Sequence, residues 1–248
     1  MSLNAAQTKL KKEFMNFTGV DEKTAISILK KYNFDVNQAV NKYFESESKS
    51  GPNAQKYEQI FNTYMDSQSK KIEAEGIQKF CNDLGISPMD AVILVISYYF
   101  GAKKSGEYTK EEFCQGMSVL KVTSIAELKA NIPHIRNELM DEETFKKVYK
   151  FTFNFSRESK NLEFESARAL WEILLPFVFH FHKEWLQFLD QLPKEKQKDI
   201  SQDLWNMLLE FHIQVRNDLS KYDPYSAWPS QIDEFMEFMG FKPQFEEY

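Results

Sequence analysis

Hydrophobic residues recur at helical spacing along the whole chain, beginning with its first 46 residues. Leu10, Phe14 and Phe17 stand at i, i+4 and i+7, which places them on one face of a helix. Two further helical patterns follow, and Asp21 supplies a good N-cap for the first of them. Their apolar positions are Ala25, Ile28, Leu29 and Tyr32, then Val36, Ala39, Val40, Tyr43 and Phe44. The pattern predicts a bundle of three short helices over residues 8–46.

The rest of the chain carries a succession of helical patterns, several of which begin at recognisable capping residues. Four starts pair a Ser or Thr with an acidic residue three positions later: Ser87 with Asp90, Thr109 with Glu112, Ser124 with Glu127, and Ser230 with Asp233. Pro88 also stands at a first helical position, where proline is tolerated. The spacing predicts helices over residues 55–66, 75–84, 88–100, 109–118, 124–139, 141–154, 163–176, 178–191, 197–219 and 230–239.

One polar stretch, SESKSGPNAQ at residues 46–55, separates the two parts of the chain. It combines Ser, Gly, Pro and Asn and contains no apolar residue except Ala, which is typical of a linker. The sequence therefore predicts a three-helix domain at 8–46, a flexible linker at 47–54 and a larger domain at 55–248. A unit as small as the first buries little surface, and such bundles usually bind a partner.

Composition favours an all-α fold. The 248 residues include only 8 Gly and 8 Pro, whereas helix formers are frequent. With 42% hydrophobic residues and 22 Phe, the chain has ample material for a packed core. The apolar run AVILVISYYF at 91–100 is half of the roughly 20 residues that a membrane span requires, so it predicts a buried helix.

The two cysteines, Cys81 and Cys114, show no metal-binding spacing and stand beside Phe80 and Phe113. Such neighbours are typical of core residues rather than of a reactive thiolate. Because the sequence also shows no secretory leader pattern, we expect a reducing, intracellular setting.

Charge is unevenly spread along the chain. Residues 199–248 carry 3 basic and 10 acidic side chains, a net charge of −7, whereas the residues before them sum to +1. A concentrated acidic field repels nucleic acid and anionic membranes and attracts basic partners. The plainer interpretation is a solvated acidic tail.

Two segments have the helix–loop–helix outline of an EF-hand, a calcium-binding unit, but lack its ligands. In DSQSKKIEAEGI (66–77), Lys70 and Lys71 occupy loop positions five and six, and Ile77 replaces the glutamate at position twelve. The segment GAKKSGEYTKEEF (101–113) has two early lysines and no early Asp. We therefore expect no metal at either loop.

No arrangement of residues predicts catalysis. His180 and His182 would point about 200° apart on a helix, so they do not readily ligate one ion, and His134 and His212 are distant in sequence. The sequence also lacks a nucleophile elbow, a phosphate-binding glycine loop and a metalloprotease motif. We expect no catalytic residue and no cofactor.

Two acidic residues and one alanine in the last fifth of the chain are candidates for a binding surface. Asp203 follows the N-cap candidate Ser201, Asp233 lies at the start of the next helix, and Ala227 precedes Trp228 between them. Each has a structural explanation, because a first-turn acid complements the helix dipole and a small residue fits beneath a tryptophan. Taken together, the acidic field and the two exposed acids favour a shared binding role.

Three stretches carry a resemblance to a known family: DLWNMLLEF (203–211), YDPYSAWPSQIDEF (222–235) and FTFNFSRESK (151–160). They closely resemble the PONY (potentiating neddylation) domain of the defective-in-cullin-neddylation family. The resemblance covers residues 55–240, and AWP followed by IDEF is its specific signature. The first segment, with EFMNFTG and TAISIL, resembles the ubiquitin-associated (UBA) domain that precedes the PONY domain in some members.

The resemblance implies a scaffold-type ligase component that forms no covalent intermediate of its own. Such a protein grips the C-terminal domain of a cullin and the conjugating enzyme for a Nedd/Rub-type ubiquitin-like protein, and it promotes transfer to a cullin lysine by proximity. The family's acidic cullin-binding patch corresponds to Asp203, Ala227 and Asp233. A location in cytoplasm and nucleus is also implied, without a nucleic-acid or membrane partner.

The resemblance further implies an apolar pocket for the acetylated N-terminal methionine of the conjugating enzyme. A neutral acetyl amide is far less costly to bury than a free ammonium. Lys103 and Lys104 depart from the family in a loop that borders this pocket in relatives. Sequence does not distinguish a pocket-lining residue from a core residue. The corresponding positions are Ala74, Ile77, Met89, Ile93, Ile96, Tyr108, Phe155, Leu170 and Ile173.

The UBA-like segment also departs from its family, because FTGV (17–20) replaces the usual Met-Gly-Phe/Tyr loop. Either a ubiquitin or ubiquitin-like protein contacts Phe17, Val20, Tyr43 and Phe44, or these four hold the three helices together. Two other functions stay open. One is an adaptor that binds ubiquitin and a cullin without promoting transfer, and the other is a degenerate calcium-sensor relative with an unrelated target.

Overall fold

The computed structural model describes residues 3–241, which fold as helices and connecting loops. That part of the chain contains no β-strand, only two isolated β-bridges, so the predicted all-α class is confirmed. The described residues divide into two compact units. The first comprises 3–88, 99–102 and 106–132, and the second comprises 89–98, 103–105 and 133–241. No helix within 3–241 has the length and apolar character that a membrane crossing needs.

The α-helices follow the predicted order. They are α1 (Ala5–Thr18), α2 (Glu22–Lys31), α3 (Val36–Ser50), α4 (Ala54–Tyr64), α5 (Ala74–Leu84), α6 (Ala91–Phe100), α7 (Lys110–Val119), α8 (Ile125–Asn137), α9 (Glu142–Ser156), α10 (Phe164–Leu174), α11 (His182–Gln191), α12 (Gln202–Val215) and α13 (Ser230–Phe238).

The first three helices form a small bundle around one apolar core. Asn4, Asp21 and Asp35 cap their N-termini, each accepting a hydrogen bond from a backbone N–H three residues on. Gly19 ends α1 at φ +76°, a left-handed conformation that glycine adopts at little cost. The core residues are Phe14, Ala25, Leu29, Val36 and Ala39.

The structure corrects the flexible linker expected at 47–54. Helix α3 continues to Ser50, so only three residues connect it to α4, and it packs against α7. Phe44 and Ser48 stand four residues apart on α3 and are both buried, and Ser48 borders the same 520 Å³ cleft as Cys114 of α7. The Ser, Glu and Lys residues that resemble a linker are therefore part of a helix that is buried on one side.

A cluster of phenylalanines forms the core of the rest of the first unit. Phe61, Phe80, Phe100 and Phe113 are at most 1% exposed, and their contacting ring centroids lie 5.2–6.4 Å apart. Gly116 is required beneath Phe100, because a Cβ there would lie 1.8 Å from the ring. An antiparallel bridge between Ile72 and Tyr108, with N···O distances of 2.9 and 2.8 Å, joins the loops before α5 and α7.

The second unit is organised around Tyr149 of α9, Trp171 of α10 and Trp205 of α12. The Tyr149 hydroxyl donates to the Trp205 carbonyl (3.0 Å) and accepts from Trp171 Nε1 (2.9 Å), and Trp205 Nε1 donates to the Tyr149 carbonyl (3.0 Å). The Trp205 ring stacks on the other two at centroid separations of 4.5 and 5.3 Å. These contacts satisfy buried polar atoms and join the three helices.

Further aromatic contacts extend this core to α13. Trp185 of α11 meets Trp171 edge-on at 5.4 Å and Phe235 of α13 at 5.2 Å. Phe235 also lies 6.1 Å from Phe211 of α12. A bridge between Leu162 and Ile200 joins the loops before α10 and α12, so that α9–α13 share one continuous core.

Several helix boundaries differ from the predicted ones. Helix α6 begins at Ala91 rather than at residue 88, and Asp90 accepts a hydrogen bond from the Val92 N–H (3.0 Å). The predicted cap Ser230 is wrong, because α13 begins after Pro229 without a side-chain cap. The capping box of Thr109 and Glu112 is confirmed. The helix predicted at 197–219 ends at Val215, because Arg216 adopts a left-handed φ of +49°.

Replacing Phe44 by alanine tests whether α3 is a structural part of the first unit. The side chain is 4% exposed, so its loss should cost about 3–5 kcal/mol. Phe17→Ala is the matched control, because that ring is 54% exposed and its removal should change stability by less than about 0.5 kcal/mol. Urea unfolding followed by circular dichroism measures both. Equal, small losses would contradict the packing of this face of α3 in the first unit.

His212 should make the stability of the second unit depend on pH. Its side chain is buried, Nδ1 has no hydrogen-bond partner, and burial, followed by the nearby Arg216, lowers its pKa to about 4. An unfolded histidine has a pKa of about 6.5, so between these values only the unfolded chain binds the proton. The free energy of unfolding should be highest above about pH 6.5 and should fall by about 2 kcal/mol by pH 5.

Urea unfolding at pH values from about 7.5 to 5 measures this loss, above the range in which carboxylates titrate. His212→Phe retains an aromatic ring against Phe179, whose centroid lies 5.4 Å away, but it cannot take up a proton. This variant should show a much flatter dependence. The same slope in both proteins would assign the effect to another group.

Candidate functional site

Asp203 lies at the exposed start of α12. Ser201 caps this helix, accepting a hydrogen bond from the Leu204 N–H (3.1 Å), and Asp203 stands in the first turn. Leu204 and Trp205 are buried and hold this end of the helix against the core. The carboxylate is therefore accessible on a rigid support, where it also complements the positive end of the helix dipole.

The turn between α12 and α13 is built on Asp223. Its carboxylate accepts hydrogen bonds from the Tyr225 N–H (3.0 Å) and the Ser226 hydroxyl (2.9 Å). Its carbonyl accepts from Trp228 Nε1 (3.0 Å). One aspartate thus ties together three of the next five residues, which is the local hydrogen bonding that favours Asp in turns.

Ala227 is exposed within this turn. It lies between Pro224 and Pro229, and each proline ring fixes the φ angle of its own residue. Its exposure does not support the idea that a small residue is needed beneath Trp228. The alanine instead presents a small, flat surface to solvent.

Asp233 stands in the first turn of α13 and is only half-exposed. Tyr222 donates a hydrogen bond from its hydroxyl to Asp233 Oδ1 at 2.6 Å. The pKa of Tyr222 is raised above its usual value, mainly by burial and next by the hydrogen bond to this carboxylate. The phenol therefore keeps its proton at neutral pH. The bond fixes the orientation of the Asp233 carboxylate.

One aromatic residue connects the three elements that carry these candidates. Phe211 of α12 lies 6.2 Å from Tyr222, 5.8 Å from Trp228 and 6.1 Å from Phe235. Asp203, Ala227 and Asp233 therefore belong to elements that share one core; we call these three residues the acidic patch. Residues 199–241 contain eight acidic side chains and two basic ones, Arg216 and Lys221, and Lys196 forms an ion pair with Glu234 at 3.0 Å. The excess of negative charge favours a basic partner.

The pocket candidates in the second unit differ in accessibility. Met89 is 62% exposed, whereas Ile93, Ile96 and Phe155 are buried. Leu170 and Ile173 are half-buried, three residues apart on α10. The loop residue Ser105 donates its N–H to the Phe155 carbonyl at 2.8 Å, which fixes the segment containing Lys103 and Lys104 at the end of α9.

Three pocket candidates belong to the first unit. Tyr108 is 1% exposed and forms the bridge with Ile72, so it is a core residue. Ala74 is exposed and Ile77 is half-buried, both on α5. Burial thus separates Met89, Leu170, Ile173, Ala74 and Ile77, which have accessible surface, from Ile96 and Tyr108, which have almost none.

The four candidates for a ubiquitin contact also separate by exposure. Phe17 is 54% exposed at the end of α1, and Val20 is half-buried beside it. Tyr43 is half-buried, with its ring 6.1 Å from Phe14, and Phe44 is 4% exposed. Phe44 therefore supports the alternative that these residues hold helices together, whereas Phe17 keeps a surface for a partner.

Sequence reasoning missed the residues that support the acidic patch. Tyr222 orients Asp233 from eleven positions earlier in the chain, and Phe211 lies in another helix. Neither contact has a local signature. The Asp223–Pro224 pair does carry one, because Asp-Pro is typical of a turn, and it could have indicated that the neighbouring Ala227 was presented on a fixed loop.

Comparisons with known proteins agree with this organisation. Residues 127–238 match the family described as Cullin binding, and residues 12–50 match the UBA-like domain. The human DCN1-like protein 3 is 36% identical over 192 residues, covering 74% of this chain and 62% of the relative. The Drosophila melanogaster DCN1-like protein 4 is 33% identical over 167 residues, covering 66% of each. The chain thus spans less than two thirds of the length of DCN1-like protein 3.

Replacing Tyr222 by phenylalanine tests the support of Asp233. The variant keeps the ring but removes the 2.6 Å hydrogen bond to a carboxylate, which should cost about 1–2 kcal/mol in urea unfolding. Tyr225→Phe is the matched control, since that side chain is 83% exposed and its loss of a hydroxyl should be nearly neutral. Equal stability of the two variants would mean that the Tyr222 bond does not hold Asp233.

Proposed function

Since the chain belongs to the DCN1-like family of the defective-in-cullin-neddylation proteins, we propose that it binds a cullin through Asp203, Ala227 and Asp233. We also propose that it promotes transfer of a Nedd/Rub-type ubiquitin-like protein to that cullin. The observation that carries the proposal is the acidic patch itself. Two first-turn carboxylates and an exposed alanine lie on elements that share one core, within a matched cullin-binding domain. Acidic side chains outnumber basic ones by eight to two among residues 199–241.

The physical basis of recognition is charge complementarity around a small neutral surface. Carboxylates on helix starts pair with Lys or Arg of a partner and steer its approach. The alanine between them lets the partner come close without a clash. Because the turn is tied by Asp223 and Asp233 is oriented by Tyr222, little ordering has to occur on binding.

The proposed contribution to transfer is proximity. The protein holds the cullin and the conjugating enzyme in one complex, so that a bimolecular encounter becomes an intramolecular step. It contributes no covalent intermediate and no proton transfer. The reaction itself takes place on groups of the conjugating enzyme and the cullin.

The second proposed contact is with the acetylated N-terminus of the conjugating enzyme. In the second unit, the half-buried Leu170 and Ile173 and the exposed Met89 offer apolar surface for a methionine side chain. Apolar surface favours a neutral acetyl amide over an ammonium, which would lose its water without a compensating charge.

A contact between the UBA-like bundle and ubiquitin or a ubiquitin-like protein is a second candidate function. The exposed Phe17 supports it, together with the match to the UBA-like domain. With Phe44 buried, such a contact would rest on Phe17 and Val20. An adaptor that binds both partners without promoting transfer is the corresponding alternative function.

Substitutions in the acidic patch test the cullin proposal. Asp203→Ala and Asp233→Ala should each weaken binding to a cullin C-terminal domain, and Ala227→Arg should weaken it most, because it adds bulk and a like charge. Loss of one partner of a desolvated charge pair costs about 2–5 kcal/mol. Calorimetry or biolayer interferometry measures the affinity.

Two matched controls separate this effect from a loss of net charge or of helix capping. Glu165 is an exposed acid in the first turn of α10, at the position equivalent to Asp203 in α12, and Glu165→Ala should leave binding unchanged. Ala130→Arg adds the same charge as Ala227→Arg at an exposed site on α8. The proposal fails if the patch variants bind as tightly as these controls.

A peptide copying the conjugating enzyme's N-terminus tests the second contact. The acetylated peptide should bind the full chain, and the free-amine peptide at least tenfold more weakly, because burial of an uncompensated ammonium is costly. Ile173→Asp places a charge at a half-buried site and should abolish the difference, whereas Met140→Asp adds one at a residue that is 66% exposed and should not. Fluorescence anisotropy gives both affinities. Equal binding of the two peptides by the folded wild type would contradict this contact.

A further inference from the structure

The most exposed large apolar side chain among residues 3–241 lies next to the acidic patch. Tyr225 is 83% exposed, compared with 66% for Met140 and 62% for Met89. It stands two residues before Ala227, in the turn built on Asp223. Single exposed apolar side chains are common on protein surfaces, so exposure alone assigns no role to the ring. What distinguishes Tyr225 is its place on a hydrogen-bonded turn beside Ala227.

The backbone that carries Tyr225 is held in place. Its own N–H donates to Asp223 Oδ1 at 3.0 Å, and the neighbouring Ser226 N–H and hydroxyl donate to the Asp223 carbonyl (3.2 Å) and carboxylate (2.9 Å). Pro224 restricts φ immediately before it. The ring is thus presented on an ordered turn, so binding would cost little further backbone entropy.

The chemistry around the ring defines the partner that it fits. The carboxylates of Asp203 and Asp223 are exposed and that of Asp233 is half-exposed, on elements that share the core around Phe211. Accessible negative charge of this kind favours Lys or Arg. The face of a tyrosine ring attracts such cations and packs against their aliphatic stems. Tyrosine is also enriched among the few residues that dominate interface energies.

We propose that Tyr225 is an anchor residue of the cullin-binding surface, packing its ring on a basic side chain of the cullin beside the acidic patch. The inference rests on the proposed function, because it takes the cullin as the occupant and extends the same surface from Ala227 by two residues. The acidic patch then steers the encounter and pairs with basic side chains, whereas Tyr225 acts on the lifetime of the complex alone.

The test measures association and dissociation of the full chain on an immobilised cullin C-terminal domain. Tyr225→Ala should raise the dissociation rate roughly tenfold, the loss typical of an anchor residue, with little change in the association rate. Tyr225→Phe should bind as the wild type does, because the ring is retained. Met140→Ala, which removes another exposed apolar side chain of the second unit, should have no effect.

Asp203→Ala in the same experiment separates the two proposals. If it slows association while Tyr225→Ala dissociates like the wild type, the cullin contact stands and the anchor role of Tyr225 is refuted. If the wild type does not bind, or if Asp203→Ala and Tyr225→Ala are both without effect, the proposed function fails. A loss in Tyr225→Phe as large as that in Tyr225→Ala would refute ring packing, since it would assign the contact to the hydroxyl.

Discussion

The second unit depends on the reciprocal contact between Tyr149 and Trp205. Each side chain donates a hydrogen bond to the other's carbonyl, and their rings stack at 4.5 Å. Burying a tyrosine and a tryptophan is favourable only when the hydroxyl and the indole N–H find partners. The pair satisfies both groups and takes in Trp171 through a third bond. Because Trp205 stands two residues after Asp203, the same contact holds the start of α12, so the core and the candidate site share one support.

The candidate site illustrates how a helical protein presents charge without losing rigidity. Asp203 is held through the buried residues that follow it, Asp233 through the hydroxyl of Tyr222, and Ala227 through a turn that Asp223 closes. None of the three needs flexible loop backbone to reach a partner. An electrostatic surface of this kind gains from low reorganisation, since the cost of ordering is met when the chain folds. The acid that closes the turn, Asp223, also adds to the negative charge of this part of the chain.

Features that depend on residues close in sequence could be predicted, whereas features that depend on contacts between distant residues could not. Apolar periodicity identified the helices because every turn of an amphipathic helix repeats the same information, and Thr109 with Glu112 marked a start through contacts three residues apart. The linker prediction failed because Ser48, a polar residue, lies on the buried face of α3, where composition gives the opposite indication. Tyr108 and Ile96 could not be recognised as core residues, because an apolar residue has the same sequence pattern whether it lines a pocket or lies in the core. The bond from Tyr222 to Asp233 depends on a turn whose geometry no local pattern specifies.

We propose that the protein promotes transfer by holding two partners, rather than by merely docking to a cullin. Proximity acts on the rate of an intramolecular step, so affinity measurements alone do not test it. The direct test is single-turnover transfer of the ubiquitin-like protein from its charged conjugating enzyme to a cullin, with the full chain added or omitted. We expect faster transfer with the wild type and loss of that gain with Ala227→Arg. Equal transfer rates with and without a wild-type protein that binds the cullin would contradict it and leave an adaptor.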